Sequence, residues 1–202
     1  ALWYHTGGGQ YETAAREIAT QVAARQSEDG SWYRGAGTGG AADHAAPLQG
    51  GDHLDWPPAY PGAGAAGASH PGVVSSAVIG LLDMAEILAC AEGIEAARRA
   101  LDWMVSTQQD EGTWALPGAA GRALWGDGAF QGALALFRGY QRFDDDRYRL
   151  AGERAFDWAL ETWDRVGYIP AVVGLWPHDQ SEGSLGYFYG LEAATLRREL
   201  GG

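Results

Sequence analysis

Residues 98–114 read Arg-Arg-Ala-Leu-Asp-Trp-Met-Val-Ser-Thr-Gln-Gln-Asp-Glu-Gly-Thr-Trp. Leu101 and Met104 fall at helical spacing within this stretch, and the glycine near its end stands where a helix would have to stop. The same ending occurs earlier, because Gln-x-x-x-Gly-x-Trp is found at both 26–32 and 108–114. Two copies of one helix ending indicate an internal repeat, so the sequence predicts a fold made of repeated helical units.

Six helical segments are predicted along the chain, and they alternate between two kinds. The segments that are apolar almost all round are 71–90, 128–141 and about 183–199. The segments with their charges on one side are 11–26, 94–108 and 147–163. This alternation is typical of two concentric layers, with the apolar helices inside and the amphipathic helices outside. The chain therefore begins with the second half of a helical hairpin and ends with the first half of another.

The predicted organisation is an N-terminal arm followed by one domain. The arm covers residues 1–10 and carries three apolar residues and then three glycines. The domain, residues 11–202, consists of α/α-hairpin repeats and includes a long loop at 33–69 that is rich in Gly, Ala and Pro. A loop of that length in a compact domain is usually functional or disordered.

Composition excludes several classes of function. The net charge of −12 argues against nucleic acid as a partner, because phosphate binding needs a basic surface. No apolar run reaches 18 residues without interruption, so we expect no membrane span. The single cysteine, Cys90, lies in an apolar helix and is interpreted as a small buried hydrophobic residue. No signal-like segment is recognised, and the location stays open, with an extracellular one among the options.

Residues 99–114 resemble the QW motif of squalene and terpene cyclases. That motif asks for a basic, a small, an aromatic and an aliphatic residue, followed by Gln-x-x-x-Gly-x-Trp. Residues 26–32 match only its second half. The chain thus resembles the α/α-toroid superfamily, which includes terpene cyclases, prenyltransferase subunits and many polysaccharide lyases and glycoside hydrolases. The residues that carry the match are Arg99, Ala100, Trp103, Met104, Gln108, Gly112 and Trp114.

The resemblance implies an all-α fold, an (α/α) toroid or half-toroid of about six helices. It also implies that the motif's Gln ties the end of an outer helix to the next repeat, with the Trp stacked nearby. Complete toroids of this kind usually have five to seven hairpins, more than the three hairpins' worth of helix in this chain. The chain is therefore expected to be half of a ring, a small relative, or a piece that needs a partner.

Two signatures of the resembled family are missing. The acidic Asp-x-Asp-Asp motif of one cyclase class is absent, and residues 144–146 are interpreted as a solvated turn and helix start. A LanC-type zinc site needs Cys and His ligands that Cys90 cannot supply alone. A metal site in the long loop is conceivable, but we predict neither metal nor cofactor. The ligands of such a metal site in the loop would be Asp43, His44, Asp52, His53 and Asp55.

The candidate site lies on one rim of the predicted toroid. Each Gln-x-x-x-Gly-x-Trp turn leads from an outer to the next inner helix, so loops 30–70, 109–127 and 164–182 should share that rim. Their indole rings suit stacking on sugars, and their carboxylates suit hydroxyl binding or acid–base work. The alternative interpretation is structural, with Trp clamping the rim, Asp capping helices and His in ordinary hydrogen bonds.

The candidate residues follow from that rim. His70 is the candidate base, with Asp127 or Asp55 as its catalytic partner. The substrate-binding candidates are Trp56, Tyr60, Trp125, Trp176, His178, Asp179 and His53.

The sequence is compatible with three functions, and it does not decide whether the protein is an enzyme. The first is a carbohydrate-active or carbohydrate-binding domain, lyase- or hydrolase-like, with a glycan or other small molecule as ligand. The second is a non-catalytic structural subunit that assembles head to tail, or by helix exchange, into a ring or filament. This homo-oligomer would form through the terminal helices and arm residues 1–9. The third is a terpene cyclase-like protein.

Overall fold

The computed structural model describes residues 9–32, 69, 71–88, 90–115, 124–126, 128–168, 172–173 and 184–201. Within these residues the protein is all-α, as predicted, apart from two strands of two residues each. The elements are α1 (Gly9–Ala24), α2 (Pro71–Leu88), α3 (Ala91–Thr107), β1 (Leu124–Trp125), α4 (Gly128–Phe143), α5 (Asp146–Val166), β2 (Val172–Val173) and α6 (Ser184–Glu199).

All six predicted helices are present, with ends that differ by three residues or fewer from the predicted ones. Helix α1 begins at Gly9, so the last two residues of the predicted arm, 9–10, belong to the helix. The rest of the arm lies outside the described residues. Helix α5 runs on to Val166 rather than ending at residue 163.

The helices pack in the predicted order of two layers. In the inner layer, α4 packs between α2 and α6. In the outer layer, α3 packs between α1 and α5. The pairs α2–α3 and α4–α5 form the hairpins that join the two layers. These contacts agree with the predicted alternation of inner and outer helices, while the toroid itself stays a prediction.

The core is centred on α4. Every residue from 128 to 137 is buried, which is the burial expected of a helix that is apolar all round. The two layers come close together because small residues face large ones, as where a side chain at Gly152 would lie 2.7 Å from the Phe137 ring. Cys90 is buried, which agrees with its interpretation as a small hydrophobic residue.

Helix α2 is the most apolar of the helices. By length and composition it could cross a membrane, with a mean hydropathy of 1.5. However, Val74, Val78 and Leu81 are buried by the helices around it, and core helices of globular proteins pass the same test. The absence of a membrane span therefore stays a prediction.

The two Gln-x-x-x-Gly-x-Trp motifs make the same hydrogen bonds. The Gln26 side chain donates Nε2 to the Gly30 carbonyl at 2.7 Å and to the Ala96 carbonyl of α3 at 2.7 Å. The Gln108 side chain donates Nε2 to its own Gly112 carbonyl at 2.7 Å and to the Ala151 carbonyl of α5 at 2.9 Å. Each glutamine thus ties the end of one outer helix to the second turn of the next outer helix.

The glycine of each motif sits where no other residue fits. Gly30 has a φ of 90° and Gly112 a φ of 105°, which L-residues rarely adopt. A side-chain Cβ at Gly30 would also lie 2.8 Å from the Arg99 carbonyl carbon, and one at Gly112 would lie 2.9 Å from that of Arg154. The turns therefore dock by their backbones directly on the next outer helix.

The tryptophan of each motif turns back onto the helix that precedes it. The Trp32 indole donates Nε1 to the Val22 carbonyl at 2.9 Å, and the Trp114 indole donates to the Met104 carbonyl at 2.9 Å. Both rings are buried. The indole therefore satisfies a carbonyl near the helix end while its ring fills the space between the layers.

The end of α5 differs from these two turns. Trp163 takes the place of the glutamine, and the helix continues to Gly167, whose φ is 82°. The Gly167 amide donates to the Trp163 carbonyl at 2.7 Å, which is a left-handed helix cap rather than a docking turn. Among the described atoms, none lies within 4 Å of a Cβ placed at Gly167, whereas Gly30 and Gly112 each meet an outer helix.

The acidic run 144–146 is the turn and helix start that the sequence predicts. Asp145 is the N-cap of α5, and its carboxylate accepts from the Arg147 backbone N–H at 3.0 Å. Asp146 lies in the first turn of the helix, where a negative charge is favourable.

Candidate functional site

Most of the predicted site lies outside the described residues. This applies to the catalytic candidates and to every substrate-binding candidate except Trp125. The residues outside are His70, Asp127, Asp55, Trp56, Tyr60, Trp176, His178, Asp179 and His53. The loop residues considered for a metal lie outside as well, so all of these assignments stay predictions.

Trp125 is described, and its ring belongs to the core. It is 6% exposed and stands edge-on to Trp114, with ring centroids 6.2 Å apart. The Trp125 amide donates to the Trp114 carbonyl at 2.9 Å, and its carbonyl accepts from the Thr113 hydroxyl at 2.7 Å. These contacts give Trp125 a packing role, and none of them supports its assignment to substrate binding, which stays a prediction.

A short antiparallel ladder joins two of the three predicted rim loops. Strand β1 lies in loop 109–127 and strand β2 in loop 164–182, with Trp125 paired to Val172. The two loops therefore run side by side, which agrees with their predicted position on one rim. In the first loop, the Ser31 hydroxyl hydrogen-bonds to that of Ser69, shortly before α2.

A polar cleft lies elsewhere, and the described residues that line it all belong to the three inner helices. Its volume is about 540 Å³, within the usual range for small-ligand sites. The cleft occupies the second halves of α2, α4 and α6, whereas the predicted site lies at the N-terminal ends of the inner helices. We call it the inner cleft. Its lining residues are Leu82, Asp83, Glu86, Arg138, Gln141, Arg142, Glu192, Thr195, Leu196 and Glu199.

Arg138 holds the three inner helices together at this cleft. From α4 its guanidinium forms an ion pair with Asp83 of α2 through Nη1 and another with Glu192 of α6 through Nη2. The Arg138 side chain is 23% exposed, whereas those of Asp83 and Glu192 are 54% and 41% exposed, so solvent still screens both pairs. One guanidinium thus fixes the relative positions of two carboxylates from different helices.

Asp83 and Arg138 both have shifted pKa values in this cleft. Burial raises the pKa of Asp83 above its ordinary value, because desolvation disfavours the charged form. Arg138 lowers this pKa and offsets part of the effect, while the negative charges of Glu86 and Glu192 raise it further. Burial alone would lower the pKa of Arg138, but its hydrogen bonds and charge interactions with Glu192 and Asp83 outweigh burial and raise it.

The inner cleft offers both donors and acceptors to a ligand. Its carboxylates accept hydrogen bonds, its guanidiniums donate them, and Gln141 and Thr195 can do both. A carboxyl group with a raised pKa beside other carboxylates is also a common pattern in acid–base catalysis. The cleft therefore suits a polar, hydroxyl-rich ligand.

No metal site is found among the residues that the structure describes. There, no group of three or more His, Cys, Asp or Glu side chains is arranged to hold an ion. Two of the cleft carboxylates, Asp83 and Glu192, are already paired with Arg138.

A second ionic cluster joins α3 and α5, nearer to the N-terminus of α5 than the contact made by Gln108. Asp102 of α3 accepts from the Tyr148 hydroxyl at 3.0 Å and from Arg147 Nη2 at 3.0 Å. Burial, and then the bond to Asp102, raise the pKa of Tyr148. The Arg147 and Asp102 side chains are about half exposed and no cleft is formed, so the cluster acts as a clasp between outer helices.

Sequence reasoning missed the inner cleft, although a signal was present. Asp83 and Glu86 are charged residues within the otherwise apolar α2. Arg138 stands in the same way within α4. A charge inside a buried helix needs a partner, so such residues on neighbouring inner helices point to one another.

Comparison of the chain with protein-family models, with curated proteins and with solved structures gives no match. The likeness to α/α toroids therefore rests on the motif and on the contacts that its residues make. Function has to be argued from the chemistry of the inner cleft and the surfaces around it.

Proposed function

We propose that the protein is a carbohydrate-binding domain of the α/α-toroid type, with the inner cleft as its ligand site. The observation that carries this proposal is the placement of Arg138 between Asp83 and Glu192, in a cleft large enough for a small sugar. Three charged groups held in fixed positions by three helices form a preorganised set of hydrogen-bonding partners.

The toroid part of the proposal is supported by the repeated contacts of the outer layer. Two successive turns tie each outer helix to the next through the same glutamine and glycine contacts. A repeated contact between successive units gives a regular curved array. In a toroid the inner helices surround the axis, so a cleft formed by α2, α4 and α6 would face it.

The charge of the lining narrows the class of sugar. Four carboxylates face two guanidiniums in the inner cleft, so its net charge is negative. A polyanionic glycan would be repelled, while neutral or amino sugars would not. Neutral hydroxyls can accept from Arg138 and Arg142 and donate to Glu86 and Glu199. We therefore propose neutral and amino sugars as the ligand class.

Binding should be measured by calorimetry with a panel of neutral, amino and acidic oligosaccharides. The most informative variants are Glu86→Gln and Glu199→Gln, because neither side chain takes part in the Arg138 ion pairs. Each should weaken binding at least tenfold, about 1.4 kcal/mol, if its carboxylate binds the sugar. The matched control is Glu161→Gln, the same change at an exposed position on the outer helix α5.

The same panel separates the inner cleft from the predicted rim. If His70→Ala abolishes binding while Glu86→Gln and Glu199→Gln leave it unchanged, the ligand site is on the rim and the cleft assignment is wrong. If no sugar binds to the native protein, the carbohydrate proposal itself is wrong.

A catalytic role is the second candidate, and the raised pKa of Asp83 favours it. A carboxyl group that keeps its proton at higher pH can act as a general acid toward a leaving-group oxygen. Asp83→Asn should then abolish turnover of a sugar that the variant still binds. Turnover that is equal in native protein and variant would contradict this role.

A further inference from the structure

The two ends of the helix array both leave apolar surface exposed. On α1, Tyr11 is 41% exposed and Ile18 is 54% exposed. On α6, Phe188 is 71% exposed and Leu191 is 74% exposed. Large hydrophobic side chains that are exposed together on one helix face mark a contact surface rather than scattered surface residues.

The repeat shows what is missing beside α1. With the Gln-x-x-x-Gly-x-Trp endings aligned, Ile18 occupies the position of Ala100 in α3, which is fully buried. Aligning Asp157–Trp158 of α5 with Asp102–Trp103 of α3 extends this alignment to α5. Tyr11 then corresponds to Tyr148, which is also fully buried. Tyr148 packs against Phe143, on the inner helix of its own hairpin. Helix α1 therefore has the form of an outer helix without its inner partner.

Among the described residues, helix α6 lacks the opposite partner, an outer helix. Tyr187, Phe188 and Leu191 lie three and four residues apart and share one face of the helix. At the edge of this face, Tyr187 stands edge-on to the half-exposed Trp163, with ring centroids 5.9 Å apart. In the other inner helices, a following outer helix supplies the cover. Helix α6 therefore has the form of an inner helix without its outer partner.

The two ends do not cover each other. In the described part of the chain α1 packs mainly against α2 and α3, and α6 packs mainly against α4. The missing partner of α6 is an outer helix, which is what α1 is. The missing partner of α1 is an inner helix, which is what α6 is. The described helix array thus starts with an outer helix and finishes with an inner helix, which are the two kinds of helix that a hairpin needs.

We propose that copies of this chain associate head to tail, with α6 of one copy packed against α1 of the next. The occupant of each end is a second copy, because the new contact would continue the interface that α2–α3 and α4–α5 already form within the chain. Such a contact is heterologous, so it closes into a ring or extends as a filament. This inference goes beyond ligand binding and does not depend on it.

The test is the solution mass of the native chain by light scattering over a dilution series. We expect a mass of several copies that falls toward one copy on dilution. Ile18→Glu and Leu191→Glu should each prevent this association, because each places a charge in the apolar contact. Both positions are exposed, so far-ultraviolet circular dichroism should show an unchanged fold. Leu150→Glu, on the exposed side of α5, is the matched control and should assemble normally.

Mixing the two variants distinguishes this arrangement from others. The Ile18→Glu chain keeps a working α6 and the Leu191→Glu chain keeps a working α1, so an equimolar mixture should form a dimer and nothing larger. If Leu191→Glu prevents association but Ile18→Glu has no effect, α6 pairs with itself and the proposal is wrong. A native chain that is monomeric at every concentration also overturns it.

Discussion

The endings of α3 and α5 start from similar sequences and reach different structures. At 108–114 the helix stops, and its turn docks on the next outer helix through Gln108 and Gly112. At 163–168 the helix runs on for another turn and ends at Gly167, with no described atom within 4 Å of a Cβ placed there. The difference shows that the motif is a connector between neighbours. Where the neighbour is missing from the described chain, the motif's residues are missing too.

The largest difference in the free energy of unfolding is expected between alanine variants of Trp114 and Trp163. Trp114→Ala should lower the free energy of unfolding by about 3–5 kcal/mol, because it removes a buried ring and the bond to the Met104 carbonyl. Trp163→Ala should cost less than about 1 kcal/mol, because Trp163 is 39% exposed. Urea unfolding of both variants measures the difference. Equal losses would mean that the end of α5 is as firmly packed as the end of α3.

The two glycines should also differ. Gly167→Ala should cost about 1–2 kcal/mol, the ordinary penalty for a left-handed backbone. Gly112→Ala should cost roughly 3 kcal/mol or more, because its Cβ also meets the Arg154 backbone. Thermal and urea unfolding of the pair give the values. A Gly112→Ala variant no less stable than Gly167→Ala would contradict the direct backbone docking.

The glutamines test whether the first and second turns are equivalent. Gln26→Ala and Gln108→Ala each remove one amide that donates to two carbonyls, so each should cost about 1–3 kcal/mol. The loss should be larger for Gln108→Ala, because Gln108 Oε1 also accepts from Arg154, whereas Gln26 Oε1 has no partner among the described contacts. If one variant is unaffected while the other loses stability, only one of the two turns holds neighbouring outer helices together.

The smallest expected difference lies between two arginines. Arg154 donates to Gln108 Oε1 through Nε at 3.1 Å, while Gln26 Oε1 accepts no hydrogen bond among the described contacts. Arg154→Ala should therefore cost about 0.5–1 kcal/mol. Arg99→Ala, at the matching position on α3, should be close to neutral. A larger loss for Arg99→Ala would show that Arg99 bonds to Gln26 in solution as Arg154 bonds to Gln108.

The sequence predicted the six helices well, because burial leaves a direct mark on helical periodicity. The apolar run of α4 and the one-sided charges of α3 and α5 were enough to assign inner and outer positions. The repeated motif also indicated that the two turns would be alike, since both copies contain the glutamine, glycine and tryptophan that make the contacts.

The inner cleft and the end of α5 could not be predicted in the same way. Asp83 and Arg138 lie far apart in the chain, and only the packing of α2 on α4 brings them together. At the end of α5, Gly167 preserves the spacing of the motif and so looks like a weakened copy of the turn. Whether α5 stops before residue 163 depends on contact with a following outer helix. The sequence of residues 163–168 does not reveal whether that helix is present.

The glutamine contacts have a consequence for how such a chain can change in length. Each contact joins only successive outer helices, from Gln26 to Ala96 and from Gln108 to Ala151. Because coupling is limited to nearest neighbours, stability should grow by a nearly constant increment for each hairpin that is added. A duplicated hairpin inserted between α3 and α4 would meet surfaces that it already matches. The protein is thus open to growth or shortening by whole hairpins, with little need for compensating changes elsewhere.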